Sequence, residues 1–321
     1  MSLKAENLPA SPIEQPKIQV FILTYERPDM ILDTLHSVLA QNYSNFEVIL
    51  SDNSKTDKTQ KVLADFRHEK FVYRRRIPTL GALQHFNQVI GEVESDYFMM
   101  FHDDDIMLPG CLSTLIKGFN SNSRVAAVGG NARMIFNTFL SNRKFICTDR
   151  DIIIADPARF LRQHLVHCNY SPFPAFLYFK PLLKNLFLEQ NLGKHADVIF
   201  LSEVCRRGKV LMLKDVVMNY RIHSRQDSST NEQKDRKLLI NWICKNNYLK
   251  KSSPEVKVYR LRGLIQELRE RKDNRLSLKL RVHAALALVY FKYFRLQFLY
   301  QFIRLAQIIL RKICLQKKSH N

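Results

Sequence analysis

Along residues 17–130, short and almost wholly apolar runs alternate with longer stretches whose apolar residues recur three and four positions apart. IQVFILT (18–24) and FEVILSD (46–52) are apolar on both alternating sets of positions, the pattern of strands covered on both faces. Between them Ile31, Leu32, Leu35, Val38 and Leu39 follow helical spacing behind Pro28, which is placed to open a helix. Thr56 or Asp57 can cap a second helix carrying Val62, Leu63 and Phe66. The alternation continues with a short strand near Phe71 to Tyr73 and a helix from about Leu80 to Ile90. A strand at SDYFMMF (95–101), a helix begun by Pro109 and a strand at RVAAVGG (124–130) complete it. Strand and helix in steps of roughly 25–30 residues predict a parallel sheet with right-handed crossovers.

Ligands of such sheets sit outside the carboxyl ends of the strands. Three polar clusters fall at those ends: Thr24 to Arg27, Asp52 to Asp57, and His102 to Asp105. Residues far apart in the chain are thus predicted to meet in one crevice. Beyond residue 131 the pattern yields a helix from Pro157 to His167, then an apolar stretch AFLYF behind Pro172 and Pro174. A helix over Asp197 to Arg206, a strand over Val210 to Asp215, and helix from Asn231 onward follow. Residues 1–16, with Pro9, Pro12 and Pro16, read as a flexible lead-in. The divisions are therefore 1–16, an α/β domain over 17–230, and a helical region over 231–321.

Charge sharpens that division. The chain carries 50 Lys/Arg against 30 Asp/Glu, net +20, and residues 231–321 alone hold 22 against six, net +16. A near-neutral front and a strongly basic tail point the tail at something anionic. Within it Phe298, Phe302, Leu305, Ile309 and Ile313 form one apolar stripe, with Gln297, Gln301, Arg304 and Arg311 on the other side. That pattern predicts a helix lying in the plane of an anionic membrane surface, with its basic side chains reaching the headgroups. No apolar run reaches the length of a spanning helix. The six scattered cysteines form no C-x-x-C pair, and the N-terminus lacks the apolar core of a signal peptide. Both features predict a cytoplasmic protein, peripheral at the inner face of the membrane.

Asp103, Asp104 and Asp105 follow one another after a hydrophobic strand. Carboxylates this close raise one another's pKa unless a cation neutralises them. Mg²⁺ or Mn²⁺ suits such a cluster, because hard cations take oxygen ligands and share them with substrate phosphates.

The ordered set IQVFILTYERP, SDNSKTDKT, GALQHFN and YFMMFHDDDIMLP resembles the nucleotide-sugar domain of family 2 glycosyltransferases over roughly residues 17–230. The resemblance implies a GT-A (Rossmann-like) mixed sheet flanked by helices, here with an α-helical C-terminal extension. It implies an inverting, metal-dependent transferase that uses a nucleoside-diphosphate sugar, UDP-linked by analogy. Its acceptor would be a glycan or a lipid-linked molecule of cell-surface polysaccharide or glycolipid synthesis.

Carried over by position, Thr24, Tyr25 and Arg27 hold base and ribose, Asp52 accepts a hydrogen bond from them, and Gly81 and Asn87 shape the donor pocket. Asp57 matches the second acid of its motif but reads as a helix cap. Asp104 and Asp105 bind metal and diphosphate, and the ribose contact falls to His102 or to Asp103. In ADVIFLSEVCRRGKV, Asp197 matches the general base, with Ala196 where the family carries glutamate. Its ordinary pKa near 4 would make it a weak base, ionised at neutral pH. In NYRIHSRQDSS, His223 matches a third metal contact and Arg221 or Arg225 a phosphate contact. The Q-x-x-R-W motif of processive synthases is missing, which implies single additions.

Two rivals stand beside this reading. A sugar nucleotidyltransferase would need a Gly-rich basic loop for triphosphate after the first strand, and LTYERP has none. A nucleic-acid-binding protein would use the basic tail with interleaved aromatics such as Tyr290 and Phe291, but leaves the acidic triplet unexplained.

Overall fold

The computed structural model describes residues 15–121, 123–136, 139–167, 170–225, 233–270 and 276–294. The first half runs β1 (Ile18–Thr24), α1 (Ile31–Leu39), β2 (Phe46–Asp52), α2 (Lys58–Val62), β3 (Phe71–Arg75), α3 (Ala82–Gly91) and β4 (Tyr97–His102). Then come β5 (Ile106–Met107), α4 (Cys111–Asn120), β6 (Val125–Phe136), β7 (Phe139–Lys144), β8 (Ile152–Ile154), α5 (Pro157–His167) and β9 (Phe176–Phe179). The chain continues with α6 (Ala196–Arg207), β10 (Lys209–Ile222), α7 (Gln233–Lys245), α8 (Pro254–Glu270) and α9 (Leu276–Phe294).

The strands form one mixed sheet in the order β3-β2-β1-β4-β9-β6-β10-β5, with β7 beside β6 and β8 beside β10. β1, β2, β3 and β4 are parallel, as the crossover pattern requires. Successive side chains of a strand point to opposite faces, so the apolar runs feed two cores. Phe21 and Leu23 of β1, with Phe98 and Met100 of β4, enter one core. Ile18, Val20 and Ile22, with Met99 and Phe101, enter the other. Each fully covered Phe or Ile contributes roughly 1.5–3 kcal/mol, so these strands are fixed in register.

Several expectations change. The AFLYF stretch is β9, antiparallel between β4 and β6 in the middle of the sheet, so the sheet is mixed, as the family resemblance implied, and not parallel throughout, as strand spacing alone suggested. A fully buried apolar run of four carries no periodicity that reveals its direction. β6 does not stop at Gly130 but runs on to Phe136, paired with β10, which itself extends past Asp215 to Ile222 through register shifts. Asp57 occupies the N-cap of α2 but makes no side-chain cap bond; its carboxylate pairs with Lys61 at 3.0 Å instead.

The glycine pair inside β6 reflects close approach. A Cβ on Gly129 would lie 2.5 Å from the Phe176 ring, and one on Gly130 only 2.2 Å from Val217. Gly130→Ala is accordingly expected to lower stability by about 1–3 kcal/mol through overpacking, read as a fall in urea midpoint. An unchanged midpoint would show that Val217 can move aside.

The helices after residue 231 are not packed apart from the sheet domain. Leu239, Ile240 and Ile243 of α7, with Val256 and Tyr259 of α8, share a core with Phe160 of α5 and Val198 of α6. Among the described residues no helix is long and apolar enough to cross a membrane. The apolar stripe predicted over 298–313 lies outside the described residues.

Candidate active site

Strand register alone gathers the first group. Thr24 at the end of β1 is level with Asp52 of β2, and Leu23 is level with His102 of β4. Neighbouring strands lie about 4.8 Å apart, so the polar residues that follow share one rim.

Asp103 is fully buried and braces the loop after β1. One oxygen accepts from the Thr24 hydroxyl (2.6 Å) and the Tyr25 N–H (3.3 Å), and the other from the Arg27 guanidinium (2.7 Å). Burial, opposed by Arg27 and reinforced by Asp104, pushes its carboxyl up to about 6. Tyr25 is left 46% exposed beside it. Thr34 of α1 donates its hydroxyl proton to the Asp103 or Asp105 carbonyl, both 2.9 Å away, and so pins the acidic turn from below.

Asp104 lies 3.2 Å from the Arg27 guanidinium and 2.9 Å from His223 Nε2. Burial works against its charge, but His102, Arg27 and His223 outweigh it and hold the carboxyl below its ordinary value. Asp105 behaves oppositely, since burial and then the neighbouring Asp104 push it well up. Its Oδ1 accepts the Arg221 backbone N–H at 2.9 Å, while its buried Oδ2 has no hydrogen-bond partner. Ligand-capable atoms of His102, Asp104 and Asp105 lie within 4.8 Å of one another. An orphaned buried carboxylate oxygen beside two more donors fits a hard divalent cation. Asp104 and Asp105, with His102 or His223, are the residues that could hold one.

Asp52 is fully buried, accepting from Ser54 N–H (2.9 Å) and the Tyr73 hydroxyl (2.7 Å). Asn53 exchanges two hydrogen bonds with the backbone of Leu80, which sets the position of Gly81 at the start of α3. Asn87 is a clasp: both ends of its amide bond the backbone of Leu188, at 2.7 and 2.8 Å. It acts on the cleft through that loop and not through a free amide.

The end of β10 and the strap that follows it lie across the acids. Arg221 reaches Asp33 at 3.3 Å, Arg225 pairs with Asp29 at 2.5 Å, and Arg27 donates to the Arg225 carbonyl at 3.1 Å.

Asp197 sits in the first turn of α6, its Oδ1 accepting the Val198 N–H at 2.7 Å. The rings of Phe173 and Phe200 link that helix to the acid cluster: Phe200–Phe173 centroids are 6.1 Å apart and Phe173–His102 6.5 Å. The expectation of an ordinary carboxyl here is corrected, because burial pushes Asp197 up to about 6. That makes it a stronger base than a solvated aspartate, and one still mostly ionised at pH 7.

Several participants were not read from the sequence. Tyr73 and Asn53 orient Asp52 and the Gly81 loop, Asp29 holds Arg225, and Glu26 ties two loops together by accepting from Lys55 N–H, Thr56 N–H and the Thr56 hydroxyl. Glu26 adopts φ 53°, a conformation uncommon for a residue with a side chain. Only a polar residue at a strand end hinted at any of them. A separate cavity of about 840 Å³, bordered by Arg150, Arg159, Arg162 and Ile152, contains none of the strand-end residues.

The description Glycosyl transferase family 2 matches residues 19–187, somewhat more than half the chain. The match ends before Asp197 and the strap. A protein of Haemophilus influenzae described as an uncharacterized glycosyltransferase is 23% identical over 279 residues, covering 81% of this chain and 83% of its own. The GalNAc(5)-diNAcBac-PP-undecaprenol beta-1,3-glucosyltransferase of Campylobacter jejuni is 26% identical over 120 residues, 36% of this chain and 38% of its own. Among solved structures, TarS of S. aureus in complex with UDP-GlcNAc superposes with a TM-score of 0.58 at 15% identity, over 85% of this chain and 80% of its own. The mannosyltransferase PcManGT of Pyrobaculum calidifontis, with GDP-Man and Mn²⁺, gives 0.50 at 15% identity, over 97% and 79%. These likenesses establish a GT-A-type α/β fold, and the match over residues 19–187 places the chain in glycosyltransferase family 2.

Proposed function

We propose that this glycosyltransferase moves a single sugar from a nucleoside-diphosphate sugar, UDP-linked in the first instance, to a hydroxyl of a glycan or lipid-linked acceptor, with inversion. Its place would be in cell-surface polysaccharide or glycolipid synthesis. The observation that carries the reading is the buried acid cluster, in which Asp105 keeps one oxygen unpartnered beside Asp104 and His102. Mg²⁺ or Mn²⁺ suits that donor set, and when bound such an ion offsets the charge of the leaving diphosphate.

The remaining roles belong to the protein's own groups. Tyr25, being exposed, offers a face to the base, and Asp52, held in place by Ser54 and Tyr73, has acceptor capacity left for base or ribose. Thr24 and Arg27 hold the loop that carries Tyr25, with Asp103 as its brace. Gly81 and Asn87 set the pocket wall through the loops they fix. Arg221 and Arg225 pair with Asp33 and Asp29, whose side chains are 66% and 55% exposed. The Arg225–Asp29 pair is exposed on both sides and contributes little, so the Arg225 guanidinium can turn to phosphate oxygens at small cost. Asp197 takes the proton of the acceptor hydroxyl as that oxygen attacks the anomeric carbon.

Single addition fits the lone Trp242, which is occupied in packing on Tyr248 with rings 5.6 Å apart. A site at the cytoplasmic face of the membrane fits the net +16 of residues 231–321 and an acceptor carried by lipid. The TarS and PcManGT complexes make UDP-GlcNAc and GDP-Man the first two donors to try.

The test is thermal unfolding against UDP- and GDP-sugars with Mn²⁺, Mg²⁺ or chelator. A cognate donor at a hundred times its Kd stabilises by about 2.7 kcal/mol, a shift of several degrees that chelation should abolish. If no nucleotide sugar moves the transition, the donor assignment falls while family membership stands.

A further inference from the structure

Asp197 lies beyond the family match, and so do the elements that hold it. α6 begins without a cap of its own: His195 occupies the N-cap and makes no side-chain cap bond. The first turn of a helix has unsatisfied N–H groups and frays unless something ties it. Val198, Ile199, Phe200 and Leu201 are almost completely buried and fix the helix axis, but they lie after Asp197. The start of the helix is held from outside.

Two C-terminal helices do this. The Tyr259 hydroxyl of α8 meets His195 Nε2 at 3.0 Å, two residues before Asp197. Asp235 of α7, itself buried, lies against the turn over Gln190–His195 and accepts weakly from Lys194 N–H at 3.4 Å. Gly193 in that turn has φ 59°, and a Cβ there would stand 2.2 Å from Asp235 Oδ1. Glycine is required both by its backbone angle and by the close approach of Asp235. Tyr259 is steadied in turn by the Arg236 guanidinium, 4.6 Å above its ring, and by packing against His164. Burial, with Arg236 next, holds the His195 pKa down to about 4, so its imidazole is neutral and suited to accept the phenol proton.

We propose that Tyr259 and Asp235 are positioning residues for Asp197, so that the α7–α8 pair, outside the family match, is a working part of the catalytic centre. The claim rests on the reading of Asp197 as base. A base must come within about 2.6–3.2 Å of the hydroxyl it deprotonates, and a 1 Å error in such a contact costs roughly a hundredfold in rate. By fixing the Gly193–His195 turn, the two helices set where the Asp197 carboxylate stands along the cleft.

The experiment is Tyr259→Phe, which removes one oxygen and keeps the ring packing, with Asp235→Asn as second variant. Each is measured alone and in the Asp197→Asn background. The expected result is a kcat roughly ten- to hundredfold lower, unchanged donor affinity, and an acid limb of the kcat profile moved downward as the carboxylate gains solvent. Adding either change to Asp197→Asn should then cost less than twofold. Wild-type kcat in both single variants, or an equal further loss in the Asp197→Asn background, overturns the proposal. Asp197→Asn at full rate with an impaired Tyr259→Phe would instead overturn the assignment of the base, and the positioning claim with it. Asp197→Asn impaired with Tyr259→Phe and Asp235→Asn both unaffected overturns the positioning claim alone.

Discussion

Replacing Asp104 by alanine is expected to reduce sugar transfer by about 10²–10³-fold or more and to abolish metal-dependent stabilisation by nucleotide. Asp104 is the acid of the triplet held below its ordinary value, with His102, Arg27 and His223 favouring its charge. It is thus ionised at neutral pH and ready to ligate. Removing it takes one carboxylate from Arg27, which keeps Asp103 and the Arg225 carbonyl, and ends the 2.9 Å partnership of His223 with Asp104. The strap then loses its side-chain bond to the acid triplet, while the Arg221 N–H keeps its bond to Asp105. Asp105→Asn should lose activity too, but with the opposite sign in stability. Burial and Asp104 raise the Asp105 carboxyl, so its favourable contribution is present at low pH and is lost as pH rises through the folded value. Removing that charge is therefore expected to raise the melting temperature in chelator while erasing the response to Mn²⁺. Measured with calorimetry and a transfer assay, an Asp104→Ala variant with normal transfer and a normal Mn²⁺ response would remove the acid cluster from the mechanism.

What could be read from the residues follows from where single elements carry their own signal. β1, β2 and β4 are buried on both faces, so their apolar runs and the polar residue ending each one are visible without any partner. Hence Thr24, Asp52 and the 102–105 cluster could be placed on one rim from strand spacing alone. What stayed hidden depends on contacts between distant segments. The direction of β9 is set by β4 and β6, and the glycines of β6 look like a strand end until Phe176 and Val217 are seen against them. The elevated Asp197 carboxyl arises from tertiary burial, which helical periodicity does not report. Asn87 and Asp57 show the limit of position matching, since the first spends both amide ends on Leu188 and the second pairs with Lys61. The basic region looked like an appendage because its charge was conspicuous, whereas the apolar residues of α7 and α8 that join the core are ordinary in composition.

Asp197→Asn is expected to move activity and stability in opposite directions. Burial raises the carboxyl from 3.8 to about 6, so the folded protein binds that proton more tightly than the unfolded chain does. The proton's stabilising effect is complete below about pH 4 and disappears as pH rises through about 6. At pH 8 the ionised group weakens the fold by up to about 3 kcal/mol, a penalty that asparagine avoids while its amide oxygen still accepts the Val198 N–H. The variant should therefore match wild type in stability near pH 4 and exceed it at pH 8. Transfer should meanwhile fall by about 10²–10⁴-fold. In wild type, kcat at saturating donor should decline below about pH 6, since protonated Asp197 cannot take the acceptor's proton; in the variant this limb should vanish. Saturating donor matters because Asp103 is also raised to about 6 and braces the loop carrying Tyr25, the residue proposed to meet the donor's base. Should Asp197→Asn keep the acid limb and the wild-type rate, the proton must leave by another group, and the half-buried carboxylate at the head of α6 would be there for some purpose other than transfer.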